Sequence, residues 1–281
     1  MTGMAATTPA EGYRFLAAPG ADLYAISEIL LESAERLCIQ NRIPSLNLLW
    51  ADPVWSQLLP EMSYKAWDHL HFVWENPGFR DFNDYLALFS KNQRKNIRKE
   101  YSRHLEQGIE IKFIRGEDAE EDHYSKMFEL YTITNDKFIP WDARWVNEDF
   151  FLRLEKSCRT RTAFVEARRE NKIIALAFFI HKGDTLWGRF WGAYEEVKDL
   201  HFAVCYYAPM DYCIKNNIRY FDPGAGSSHK IRRGFKTMRN RSWHKFFDPF
   251  LERLFKDNID TVNQHEKEYI EAMNAELPFR K

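Results

Sequence analysis

Cysteine is scarce in this chain of 281 residues, and the four present, Cys38, Cys158, Cys205 and Cys213, form no Cys-x-x-Cys pair and no metal-type spacing with histidine. That excludes a disulfide framework and a zinc ribbon, and points to a reducing compartment. Long apolar runs are missing too: the longest, residues 173–180, is far below the ~20 needed to cross a bilayer. The opening "MTGMAATTPAEGYRF" has neither the basic stretch nor the apolar core of a secretion signal, so a cytoplasmic protein with no membrane span is expected. Net charge is nearly absent, −1 from 40 basic and 41 acidic residues, so affinity for an anionic partner must come from local clusters. Low-complexity tracts and repeats of solenoid period are absent as well.

What the chain has in quantity is apolar and aromatic surface. A hydrophobic fraction of 45% fills a sizeable core, and 16% aromatic residues, nine of them Trp, leave material for binding surfaces.

Apolar residues at helical spacing (Leu23, Ile26, Leu30, Ala34, Leu37, Cys38) predict an amphipathic helix over 22–42, followed by strands at "SLNLLW" and "HLHFVWE". Residues 82–107 read as one long helix, or as two joined at Ser90 acting as an N-cap, with Gly108 as the stop and the domain boundary. A strand "IEIKFIR" and two helices come next. The period then changes to two: "TAFVEARR", "KIIALAFFIHK" and "DTLWGRFWGA", separated by the turns "EN" and "KGD", predict an antiparallel meander. A helix over 200–216, kinked near Cys205 by Pro209, leads to "IRYFD", a small-residue loop, a strand near "WHKFFD" and a long terminal helix. This is an α+β layout. The strands ending at Trp191 and Asp222 are joined by a single helix, so they should run parallel, with their carboxyl ends opening onto one crevice.

Around that crevice lie the candidate functional residues. Strand alternation puts Trp187, Arg189 and Trp191 on one face, a guanidinium between two indoles suited to gripping a carboxylate or phosphate. The alternative is a half-buried Arg189 paired with an acid across the sheet. Asp199 reads as an N-cap whose helix aims free amides at the crevice, and His201 in the first turn is either a base or a structural hydrogen bonder. "GAGSSHK" is no Walker A loop and no dinucleotide fingerprint. Gly224 and Gly226 instead allow close backbone approach, with His229, Lys230, Arg232 and Arg233 nearby to stabilise a developing oxyanion, while Asp222 is placed to orient or deprotonate an amine. Residues 91–103 carry six Lys or Arg against one acid, Glu100, with the charges wrapping around more than one helix face. Such a helix is either simply solvated or, together with the basic run over 230–245, follows a phosphate backbone.

The stretches "HFVWENPGFRDFNDYLALFSKNQRKNIRKE", "LWGRFWGA", "LHFAVCYY" and "FDPGAGSSHKIRRGF", in that order, resemble the FemAB-like peptidoglycan-biosynthesis proteins, a branch of the GNAT-fold acyltransferase superfamily. The resemblance runs from about Arg14 to the C-terminus. It implies a GNAT-like mixed sheet with flanking helices: a partial first module over residues 1–108, ending in the basic helix, and a complete second module over 109–281. It also implies that the crevice holds donor and acceptor, with Asp222, His201, Lys230 and Arg232 as catalytic candidates. Tyr206 and Tyr207 join Trp187, Arg189, Trp191, Gly224, Gly226 and His229 as substrate-binding candidates. The implied reaction forms an amide on a small-molecule or cell-wall-precursor amine. Two positions depart from the family pattern, Ala203 for Glu in His-Phe-Glu and Ser228 for Glu before His-Lys, and each departure deletes a carboxylate. The turn "AYEEVKD" lacks the usual pyrophosphate-binding glycines, and Glu195 and Glu196 oppose an anion. The acyl donor is therefore either an aminoacyl-tRNA or an acyl-CoA, with tRNA as a candidate partner and no metal implied. The competing class is a catalytically silent RNA- or protein-binding module built on the basic helix.

Overall fold

A computed structural model describes residues 1–5, 10–140, 144–226 and 228–280. Their contacts divide into two compact units interleaved in sequence: Met1–His71 with Thr237–Glu276, and Phe72–Lys236 with Leu277–Lys281. These are units of packing. The division into partial and complete modules at Gly108 concerns kinship with two-module proteins and remains a proposal.

In the first unit, β1 (Thr2–Gly3), β2 (Ser45–Leu48), β9 (Lys236–Phe246) and the start of β3 (Lys65–Glu75) line up in the order β1-β2-β9-β3. Helix α1 (Leu23–Gln40) begins where Asp22 accepts hydrogen bonds from the Tyr24 and Ala25 amides, which would otherwise be left without acceptors. Its Leu31 and Cys38 pack with Leu46, Leu48, Trp55, Leu59 and Trp243. The terminal helix α8 (Pro249–Ala275) starts in the same way on Asp248.

The second unit orders its strands β3-β8-β7-β6-β5-β4, with β4 (Ile109–Arg115), β5 (Thr162–Arg169), β6 (Lys172–Lys182), β7 (Thr185–Ala193) and β8 (Tyr220–Asp222). The expected meander is there: β5, β6 and β7 pair antiparallel, and the "EN" turn works because Glu170 and Asn171 both take positive φ. β7 and β8 run parallel, with Thr185 opposite Tyr220 and Trp187 opposite Asp222. The predicted basic helix is separate from its neighbour: α2 (Phe82–Ala87) stops and α3 (Lys91–Glu106) starts at Ser90. Helices α4 (His123–Asp136) and α5 (Glu148–Cys158) cover one sheet face, where Phe151, Phe164 and Phe178 are fully buried. On the other face Tyr212 stacks on Phe113 at 3.6 Å. Tyr212 belongs to α7 (Ala208–Lys215), which continues α6 (Leu200–Phe202) through a π turn over Ala203–Tyr207. The kink expected from Pro209 takes this form: proline has no N–H to give the preceding turn, and the helix widens there.

Gly192 shows how closely α4 lies on the sheet. A Cβ built at Gly192 falls 2.3 Å from the Leu130 carbonyl oxygen, a backbone atom that cannot swing aside. Gly192→Ala is expected to lower unfolding free energy by about 1–3 kcal/mol, as overpacked cores do. Chemical denaturation measures it, and an unchanged midpoint would mean that α4 does not rest on this strand.

Candidate functional site

One extra residue in β7 shapes the site. Phe178 pairs with Phe190, but Phe179 pairs with Gly188, so Arg189 is a bulge opposite the step between them. The bulge reverses strand alternation. A Cβ on Gly188 would meet Phe179 and Phe221 on one side of the sheet, whereas one on Gly192 would meet Leu130 on the other, although the two glycines are four residues apart. Trp187 and Trp191 therefore lie on opposite faces, which corrects the single Trp-Arg-Trp face read from alternation. The indole of Trp191 sits 5.3 Å from the His201 ring, edge to face.

The bulge also turns Arg189 inward. Its Nη2 donates to Asp222 Oδ2 at 3.0 Å and its Nη1 to the Gly188 carbonyl at 2.6 Å, with both side chains almost fully buried. Arg189 is thus the paired arginine of the alternative reading, and no free anion grip. Asp222 Oδ1 accepts the Gly224 amide at 2.7 Å, so the carboxylate ties the end of β8 to the turn that follows. Gly224 takes φ +78°, and a Cβ there would stand 2.8 Å from the Gly188 carbonyl oxygen, so glycine is required on both counts.

Beyond Trp187 and Asp222 the parallel strands part, because β8 ends while β7 runs on to Ala193. Lys230, on a single 3₁₀ stretch over Ser228–Arg233, reaches into the turn at this opening. Its Nζ donates to the Gly224 and Ala225 carbonyls at 2.7 and 2.8 Å and lies 5.2 Å from the Phe72 ring centre. The side chain is 1% exposed, and burial pulls its pKa down to about 8, with Asp222 opposing and Arg189 assisting the fall. The Cys205 thiol of the π turn feels the Lys230 charge, but burial dominates and pushes its pKa well up.

Next to Lys230 lies an aromatic and imidazole cluster. Tyr206 Oη and His229 Nε2 are 3.0 Å apart, and the His201 ring packs against Trp191, Phe202 and Tyr206. Burial, helped by the His229, Lys230 and Arg233 charges, lowers the His201 pKa to about 4, so its imidazole is neutral at pH 7. His229 is shifted the same way for the same main reason. His201 and Trp191 face a groove of about 680 Å³ that Thr134, Lys137 and Glu196 also line.

The family comparison falls on this arrangement. A family model described as FemAB-like, peptidoglycan biosynthesis/recognition, matches residues 1–281. The chain belongs to the FemAB-like family. No curated protein matches this FemAB-like chain in sequence. Among solved structures it is similar to the C-terminal domain of a protein provisionally called a lysylphosphatidylglycerol synthetase from Agrobacterium fabrum (TM-score 0.58, 10% identity, 86% of this chain and 78% of that one). It is also similar to FemX (TM-score 0.53, 10% identity, 82% and 79%) and to L-PGS from Bacillus licheniformis (TM-score 0.51, 10% identity, 84% and 79%). At such identities the likeness is one of fold, and the mixed sheet with flanking helices expected from the sequence is observed.

The FemAB-like chain brings Asp222, Lys230, His201, His229, Tyr206, Trp191, Gly224 and Gly226 to the opening or its rim, and leaves others out. Trp187 is on the far face. Arg232 is exposed, with its carbonyl held by Gln93 at 2.6 Å, and the buried arginine is Arg233. Arg233 pairs with Glu100 at 2.9 Å, donates to the His229 carbonyl and lies 3.4 Å over the Phe202 ring. Tyr207, fully buried, donates to the same Glu100 and belongs to this network. Asp199 holds the N-cap position as expected but with φ +63° and no capping bond from its side chain, whose carboxylate pairs with Arg103 at 2.9 Å instead. The basic run over 230–245 is dispersed into ion pairs, Lys236 with Glu75, Arg239 and Arg241 with Asp68, and Lys245 with Glu35. Five of the six cations of α3 share a face, and the sixth, Arg103, is the one paired with Asp199. At 100° per residue, Lys91, Arg94, Lys95, Arg98 and Lys99 span roughly 140°, opposite the face that carries buried Ile97 and Glu100.

Proposed function

We propose that this FemAB-like protein is an N-acyl or aminoacyl transferase that forms an amide on an amine of a small molecule or cell-wall precursor. The observation that carries the reading is the Lys230 ammonium, buried at the strand opening, with two of its three N–H groups on carbonyls and, among the described residues, the third without an acceptor. When an amine attacks an activated acyl carbon, negative charge gathers on the carbonyl oxygen. A buried ammonium held in place by those carbonyls stabilises that charge. The neutral His201 imidazole takes the proton that the amine sheds and passes it to the departing oxygen or sulfur as the intermediate collapses and the C–O bond of an aminoacyl ester or the C–S bond of a thioester breaks. Asp222 acts as a positioning residue, since Arg189 and the Gly224 amide occupy its oxygens.

For the donor, we favour aminoacyl-tRNA. The five cations on one face of α3 support this choice, and the acids opposing a CoA pyrophosphate are only partly offset, Glu195 by Arg169 and Glu196 by Lys137 at 3.7 Å. Binding of tRNA should weaken steeply with salt, and Lys95→Gln and Lys99→Gln should each lower the slope of log K against log salt by about 1. An unchanged slope rejects α3 as the docking face. Micromolar acetyl-CoA binding by calorimetry, roughly −8 kcal/mol, would transfer the donor role to acyl-CoA. The whole reading is tested by mass spectrometry after incubation with aminoacyl-tRNA or acyl-CoA and a peptidoglycan-precursor amine. A new amide supports it, whereas tRNA binding without product from either donor would favour the silent RNA-binding module.

A further inference from the structure

Outside the crevice, the loop before α4 gathers Glu120, Asp122 and His123 with their ligand atoms within 4.8 Å of one another. Two surface carboxylates need no ion, but His123 is fully buried. Its Nε2 stands 3.1 Å from Glu166 Oε2, and Arg168 Nε holds the other oxygen of Glu166 at 2.8 Å. A carboxylate fixed in this way accepts a proton donor, so Nε2 carries the hydrogen and Nδ1 keeps its lone pair. Among the described residues that Nδ1 has no hydrogen-bond partner. It lies 3.8 Å from Asp122 Oδ1, which has none either. Two buried acceptors that face each other across such a gap lack the positive centre that would satisfy both.

We propose that His123 Nδ1, Asp122 Oδ1 and the Glu120 carboxylate bind a divalent first-row transition metal. One imidazole with two carboxylates suits zinc, manganese, iron, cobalt or nickel better than calcium or magnesium, which take oxygen ligands alone. Glu166 then plays the orienting carboxylate behind the ligand histidine. The second oxygen of Asp122 is engaged by Lys126, and Glu120 Oε1 by Arg168 at 2.8 Å, so each acid keeps one oxygen for the ion. Three carboxylates against Arg168 and Lys126 leave a charge of −1 around the imidazole, which a dication reverses. The ion would clamp the first turn of α4 to β5 through Glu166.

The test uses the full chain, stripped with a chelator and titrated with Zn²⁺ and Co²⁺ by calorimetry, with thermal melts in parallel. His123→Ala is avoided because its burial invites unfolding, whereas Glu120 is exposed and Asp122 partly so. One equivalent should bind. Glu120→Gln and Asp122→Asn, each removing a charged ligand, should each weaken it by at least the ~10–100-fold that loss of an orienting partner alone costs at known sites. Metal should raise the melting temperature of the parent and not of the variants. No binding to the parent, or equal binding to all three proteins, overturns the proposal.

Discussion

Lys230→Ala is expected to lower turnover by about 10²–10³, the loss seen when one oxyanion donor is removed, whereas Arg232→Ala should leave turnover near that of the parent. The contrast follows from burial. Lys230 is enclosed at the strand opening, while Arg232 faces solvent. The lysine variant also strands the buried Gly224 carbonyl, a cost of about 1–3 kcal/mol, so turnover must be read where circular dichroism shows the protein folded. A pH profile gives an independent reading. With a pKa near 8 in the fold, Lys230 loses its charge, and the activity its support, as pH rises through about 8. Stability moves the opposite way: the unfolded lysine holds its proton up to its ordinary value of 10.5, so between 8 and 10.5 the unfolded state binds more protons and folding gains with pH. Equal losses in Lys230→Ala and Arg232→Ala, or activity still rising well above pH 8, would remove Lys230 from the reaction.

Arg189→Met should destabilise the protein by about 3–5 kcal/mol, because it leaves the Asp222 carboxylate buried without its cation. The matching removal, Arg189→Met with Asp222→Leu, should recover much of that loss, since two apolar groups demand no partner. Urea denaturation of the parent, both single variants and the double variant forms the cycle. Additive losses would mean that the two side chains stabilise the fold separately, and that the end of β8 is not held through Arg189.

Both predictions rest on features that the sequence displayed to different degrees. Helix starts at Asp22 and Asp248 and the Glu170-Asn171 turn follow local rules, and local rules are what a sequence prints. The bulge at Arg189 does not print. "TLWGRFWGA" alternates without a visible fault, and only its pairing with β6 inserts the extra residue that separates Trp187 from Trp191. Asp199 has the composition of an N-cap, yet Arg103 takes its carboxylate from an element far back in the chain. The Tyr207, Glu100 and Arg233 network was hidden for the same reason: its members come from separate elements, α3, the π turn and the 3₁₀ stretch after the glycine turn. Choosing between Arg232 and Arg233 required that 3₁₀ stretch, which turns one outward and the other in. The α3 charges, expected from their number to wrap more than one face, fall mostly on one once each position is set at 100° from the last.

The interleaved units set an order of assembly on the ribosome. Residues 72–236 supply nearly all of the second unit and emerge as one stretch. The first unit draws Trp243 and α8 from beyond residue 236, so Leu46, Leu48 and Trp55 stay uncovered on the nascent chain until those later residues have emerged. At elongation rates of about 5–20 residues per second, the stretch from Trp55 to Trp243 takes on the order of ten to forty seconds, long enough for a holdase to engage the N-terminal segment while the sequence of the second unit is already nearly complete.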